Sequence, residues 1–302
     1  MYFLYLLAAI LPAVILVLYA YKQDQFPEPP KIVTKTFLFG CAIILAIDLI
    51  IPVLDNFSKS YFEGETYYFF DNFIRAAFVE EFFKACVIIF YCTRKTAFDE
   101  PMDGVIYGIA ASLGFAAYEN IDYVLYFDKQ PSFDIALIRA FSAIPMHALC
   151  GVIMGFLISQ SIFEKKHNYL NLFLALFIPV GIHGLYNFSF SSSLVSYQLA
   201  YLLLLIFSIR AYLIFKNLKK RQKQSIIFNK RYYNITNYTV NITNNDGTIT
   251  TKNILDSNGN IIINNNNLVN NDLIEYIAAL EGAFGNKLGD TENINDISTI
   301  RV

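Results

Sequence analysis

Ala76-Ala77-Phe78-Val79-Glu80-Glu81-Phe82-Phe83-Lys84-Ala85-Cys86-Val87-Ile88-Ile89-Phe90-Tyr91 is an apolar run that carries two carboxylates and an ammonium near its centre. A helix needs about 20 mostly apolar residues to cross a bilayer, and the span 72–92 supplies them. An ionisable group in hydrocarbon costs on the order of 2.5–3.5 kcal/mol at a helix centre on insertion scales. A stretch that accepts this cost three times within five residues predicts a membrane helix with an inward, functional polar face.

Six further runs have spanning length: 2–21, 36–54, 104–126, 135–162, 170–190 and 195–215. The chain therefore reads as an all-α, polytopic transmembrane helix bundle of about seven spans. Its composition agrees, with 55% hydrophobic and only 16% charged residues, where a soluble domain carries about 25% charged. A net charge of −2 gives no reason to expect a nucleic-acid partner; the lipid bilayer is the expected one. Cys41, Cys86 and Cys150 lie inside apolar runs and Cys92 ends one, so they read as buried thiols. The first run has no basic leader and no small-residue cleavage site before Lys22, and is read as a span rather than a signal peptide.

Loop charges set the expected orientation. Twelve basic residues, from Lys22, Lys31 and Lys35 through Arg94, Lys95, Lys165 and Lys166 to the group 216–223, fall on one side. Lys59 and Lys129 alone fall on the other. The N-terminus is expected outside and the C-terminal segment in the cytoplasm. The membrane domain is expected to occupy 1–215. Residues 216–302 read as an Asn-rich, partly ordered cytoplasmic tail, with weak strands around Asn245-Asp246-Gly247 and Asn258-Gly259 and a short helix from Asp272 to Phe284.

Other spans also hold polar groups: Glu119, Asn120 and Asp122 in the fourth, His147 in the fifth, His183 and Asn187 in the sixth. His167 sits in a basic loop and is set aside. Lys84 is i+4 from Glu80 and i+3 from Glu81, within reach of either carboxylate. One ammonium neutralises one carboxylate, and the second is left for acid–base work. Counted at 1.5 Å per residue from the outer helix ends, Glu80 lies about 12 Å deep, Glu119 and His183 about 10 Å and His147 about 18 Å. These groups therefore share a layer in the outer half of the bilayer, where a water-accessible cavity is expected. Pro145 is expected to kink span five. Asp48, about 9 Å from the outer surface, is expected to pair with a cation near the level of Arg75 and Lys84. Gly104–Gly108 and Gly151–Gly155 are GxxxG pairs, read as close helix packing.

Glu80-Glu81-x-x-Lys84, Phe115-x-x-x-Glu119, His147-x-x-x-Gly151 and His183-x-x-x-Asn187 stand in this order on separate spans. With Asp103-Gly104-x-x-Tyr107-Gly108 and Gly114-Phe115-Ala116-x-x-Glu119-Asn120, they resemble the motifs of the PrsW intramembrane proteases. That family is distantly similar to the type II CAAX prenyl proteases, from which this sequence departs in Lys84 and Glu119. The resemblance covers roughly 35–190 and implies hydrolysis of membrane protein or peptide substrates, anti-sigma factors among them, near the outer face of a bacterial cell membrane. Catalysis would fall to Glu80, Glu81, Glu119, His147, His183 and Asn187. Glu80 or Glu81 would activate water, His183 and Asn187 would donate to the oxyanion, and Glu119 would orient the water. His147, His183 and a glutamate would also suit a zinc ion with an open position; with no HExxH motif, the sequence leaves the metal undecided. Rival readings are a proton- or cation-coupled transporter, which predicts an internal repeat that is not seen, and a catalytically silent family member that binds membrane proteins.

Overall fold

The computed structural model describes residues 2–126, 130–163, 168–236, 239–243, 248–253, 260–261 and 300–301. Two compact units divide the chain, Met1–Lys219 and Lys220–Val302. The first is helical: α1 (Tyr2–Gln23), α2 (Pro30–Tyr61), α3 (Gly64–Phe69), a π-helical stretch Phe70–Phe78, α4 (Val79–Val87), a second π-helical stretch Ile88–Cys92, α5 (Pro101–Tyr126), α6 (Phe133–Phe141), α7 (Ala143–Phe163), α8 (Asn168–Ser191) and the start of α9 (Tyr197–Tyr232).

Among the described residues, five helical segments are long and apolar enough to cross a membrane: Tyr2–Gln23, Pro30–Tyr61, Phe133–Phe163, Asn168–Ser191 and Tyr197–Lys223. Leu45, Leu49 and Val53 on α2 and Leu202 and Leu205 on α9 are exposed, as side chains bathed in lipid are. The expected spans 72–92 and 104–126 are helical but are not among these five. Of the seven expected spans, the five at 2–21, 36–54, 135–162, 170–190 and 195–215 therefore coincide with such helices among the described residues. Span five also differs from expectation. The helix breaks at Ser142 (φ −129°, ψ −74°), between α6 and α7, rather than kinking at Pro145. Pro145 lies in the first turn of α7, where a missing N–H costs no intrahelical bond.

α5 is the central element, buried from Met102 to Ala117. It crosses α7 where the two GxxxG pairs face each other: a Cβ on Gly108 would meet the carbonyl of Gly151, and one on Gly155 the carbonyl of Gly104, both far inside van der Waals contact. Lipid offers helices no hydrophobic drive to associate, so this close approach is what holds them. At the opposite side of α5, Gly114 meets the backbone of Phe37 on α2.

The α1–α2 connection is tied down through Glu28. Its backbone carbonyl accepts from Tyr21 Oη at 2.9 Å, and its carboxylate accepts from Tyr107 Oη of α5. The Lys220–Val302 unit holds an antiparallel sheet in the order β1 (Tyr233–Thr236), β2 (Thr239–Thr243), β3 (Ile249–Asn253), with Asn234 opposite Asn241 and Asn241 opposite Thr251. β2 and β3 flank the expected turn at 245–247, which itself lies outside the described residues. The strand after Asn258-Gly259, β4 (Asn260–Ile261), pairs with β5 (Ile300–Arg301) rather than with β3. The expected helix at 272–284 lies outside the described residues.

Gly108→Leu should lower the melting temperature in detergent, at a cost of about 1–3 kcal/mol of stability or more, because overpacking forces backbones apart. Gly181→Ala, with no atom within 4 Å of the added Cβ, should be tolerated; equal loss in both would show that the crossing is not tight. Burial pushes the Glu28 carboxyl up to about 7, above the ~4.3 of an unfolded chain. Folding therefore favours its protonated form, and this stability is lost as pH rises through about 7. Glu28→Gln, which keeps an acceptor for Tyr107, should melt higher than the parent at pH 8 and lose that advantage below about pH 5. A pH-independent difference would contradict this.

Candidate active site

Four elements supply the polar centre. α4 (Val79–Val87) is regular α-helix between two π-helical stretches, so the i+3 and i+4 reach of Lys84 holds. Lys84 Nζ donates to Glu81 Oε1 at 2.7 Å and lies 3.5 Å from Glu80 Oε2. From α7, His147 Nδ1 is 3.1 Å from the same ammonium, and the Phe115 ring of α5 lies 4.3 Å away. Lys84 and Glu81 are completely buried. From α8, His183 Nδ1 lies 2.9 Å from Glu81 Oε1 and 3.8 Å from Glu80 Oε2. Gly184, next in sequence, leaves room for the Phe73 ring against α8. The two imidazoles meet edge to face, 5.0 Å between centroids.

The contacts fix where the ring protons sit. An ammonium has only hydrogens to offer, so His147 Nδ1 must accept, and the proton of the neutral ring is on Nε2. That nitrogen faces Glu119 Oε2 at 3.2 Å. His183 presents Nδ1 to the Glu81 carboxylate, which puts a proton on that nitrogen; in the neutral ring the lone pair is then on Nε2. Glu81 Oε2 is buried and has no hydrogen-bond partner among the described residues.

The expected residues Glu80, Glu81, Glu119, His147 and His183 thus come together around Lys84. His147 stands level with the others, not deeper as helix counting suggested, because the break at Ser142 starts α7 inside the span. The Asn187 side chain, one turn beyond His183 and half-buried, makes no hydrogen bond among the described residues. Asp48 does not have the expected cation. It is exposed on α2 with Asp122 as an electrostatic neighbour, while Arg75 pairs with Asp71 and, at 3.2 Å, Asp55.

Arg139 on α6 escaped the sequence reading. Its Nη2 donates to Glu119 Oε2 at 2.5 Å and its Nε to Asn120 Oδ1 at 2.5 Å. The signal was there in Ala136-Leu137-Ile138-Arg139, a cation within an apolar run, open to the same argument as Lys84.

The sequence pattern of the PrsW family of intramembrane metalloproteases matches residues 28–212. The chain belongs to that family. It is similar to proteins named Protease PrsW from Oceanobacillus iheyensis, 34% identical over 60% of this chain and 80% of the relative, and from Clostridioides difficile, 32% identical over 72% and 90%. The Bacillus subtilis protein of that name is 34% identical over 66% of this chain and 88% of its own length. No solved structure matches. Membership makes this chain an integral membrane peptidase of the intramembrane type.

The family description names a metal, and the residues present fit one. Glu80, Glu81, His147 and His183 are all buried and offer ligand atoms within 4.8 Å of one another, and Glu81 Oε2 lacks a partner among the described residues. The expected His147–His183–Glu set lies within this group, and with both His147 nitrogens in contact, with Lys84 and Glu119, a metal taking that ring would displace one of the two.

Lys84→Met should cost about 3–5 kcal/mol of stability, since removing one partner of a buried ion pair leaves the other charge uncompensated. Lys84→Met with Glu81→Leu should recover most of the melting temperature; no recovery would mean that Lys84 is not the partner of Glu81.

Proposed function

We propose that this chain cleaves a peptide bond of a membrane-anchored, anti-sigma-factor-like protein near the outer face of the membrane, with Glu80 as general base. The carrying observation is the inequality of the two carboxylates. Glu81 is sealed and held by Lys84 and His183, whereas Glu80 is 10% exposed at its side chain and held by longer contacts. Glu119, 19% exposed, marks the same side as the one that water reaches. The loop-charge bias supports an outer N-terminus and a cytoplasmic C-terminal segment, which sets this water-facing side toward the outer leaflet.

Glu80 takes a proton from the attacking water and later returns it to the leaving amine. The Lys84 ammonium keeps Glu81 ionised, and Glu81 in turn holds the Nδ1–H of His183. With its proton so placed, His183 presents a lone pair on Nε2 and cannot serve as the oxyanion donor. That role falls to the Asn187 amide, one helical turn away and uncommitted. A metal ion would be held by Glu81 and the histidines, with Glu80 left as the base, and would supply a Lewis acid.

In proteoliposomes with single-span substrates, Glu80→Gln should abolish cleavage and leave the melting profile intact. Asn187→Ala should lower kcat by about 10²–10³ with little change in KM, because oxyanion donors act in the transition state. Chelation that abolishes cleavage, with recovery on adding zinc, would assign the metal form. Full cleavage by a Glu80→Gln, Glu81→Gln double variant would overturn the reading.

A further inference from the structure

We infer that Arg139 is a positioning residue of this centre: by fixing the Glu119 carboxylate it holds the Nε2–H of His147 and so sets the ring that meets Lys84. The inference rests on the reading of the site given above.

The guanidinium is fixed from three directions. Nη2 donates to Glu119 and Nε to Asn120, which are consecutive on α5, and the guanidinium carbon lies 3.9 Å from the Tyr123 ring centroid. Asn120 is itself anchored, its Nδ2 donating to the Ala9 carbonyl of α1 at 3.1 Å. The fork is therefore referenced to two helices before it reaches Glu119. Two acceptors on different residues need two nitrogens in one plane, which a guanidinium has and an ammonium lacks.

The consequence runs inward. Lys84 allows His147 only one proton position, and that Nε2–H requires an acceptor because His147 is 1% exposed. Glu119 Oε2 is that acceptor, and the same oxygen takes the Arg139 hydrogen bond. Among the described residues Arg139 is the one Arg or Lys within ion-pair distance of Glu119. Without it, a carboxylate at the edge of the membrane interior turns toward water or takes up a proton. His147 then loses its acceptor, and Lys84 loses a fixed partner at Nδ1. Partners of this outer kind typically cost about 10–100-fold in activity when removed.

A merely structural Arg139 would staple α6 to α5 and do nothing more, so melting temperature alone does not discriminate. The sequence has three histidines, and side-chain NMR of full-length protein labelled with ¹⁵N-histidine reads each ring separately. The parent should show carboxylate-bonded, slowly exchanging protons on His147 Nε2 and His183 Nδ1. In Arg139→Gln the His147 proton should shift or be lost to exchange while that of His183 stays, and kcat on the single-span substrate should fall about 10–100-fold at little changed KM. Should that variant not fold, Arg139→Lys carries the same test, since one ammonium cannot serve both acceptors, and the His147 proton should again move. A folded variant with the His147 proton at its parental position overturns the inference, whatever its melting temperature. Because the ring protons are read without substrate, an inactive parent protein would count against the protease reading and leave this outcome interpretable.

Discussion

The membrane unit is organised by an ammonium that water does not reach. Lys84 is fully buried, and a charge so placed is tolerated only where acceptors surround it. Glu81 and Glu80 come from its own helix, His147 from α7, and His183 joins through Glu81 from α8. Each acceptor has to be carried to the same point, which fixes the heights at which α4, α7 and α8 stand. The break at Ser142 belongs to that constraint, because it lets α7 begin inside the span and brings His147 level with Glu119 and Lys84.

Much of this was legible in the sequence because the bilayer makes polarity costly. Glu80, Glu81, Lys84, Glu119, His147 and His183 stood out as groups that hydrocarbon would exclude unless they met one another. The facing glycines of α5 and α7 were legible for a related reason: small residues at four-residue spacing are what lipid-embedded helices use to touch. Less legible was anything set by backbone irregularity. Pro145 pointed to a kink, yet the chain broke at Ser142, a residue with no intrinsic signal for it. Asp48 was assigned a cation on the strength of its depth alone, but depth does not say which way a helix face turns. Arg139 was missed because it lay near the assumed end of a span, where a cation excites no suspicion.

The tautomers derived from these contacts change how the histidines are to be understood. They occupy equivalent-looking places in their motifs, yet His147 meets a partner at both nitrogens, Lys84 and Glu119, whereas His183 meets carboxylates at Nδ1. The asymmetry originates in Lys84, which donates to one ring and, through Glu81, orders the other.

Where α5 meets α7, Gly108 faces the Gly151 backbone and Gly155 the Gly104 backbone, and the one side chain close against Gly104 is the small Ser159. Side chains can change rotamer to make room, but a carbonyl pressed against a glycine has no such freedom, so this seam has little room to give. In mechanical terms α5 and α7 form a stator. Any displacement within the unit is left to elements that meet through side chains, the π-flanked α4 among them.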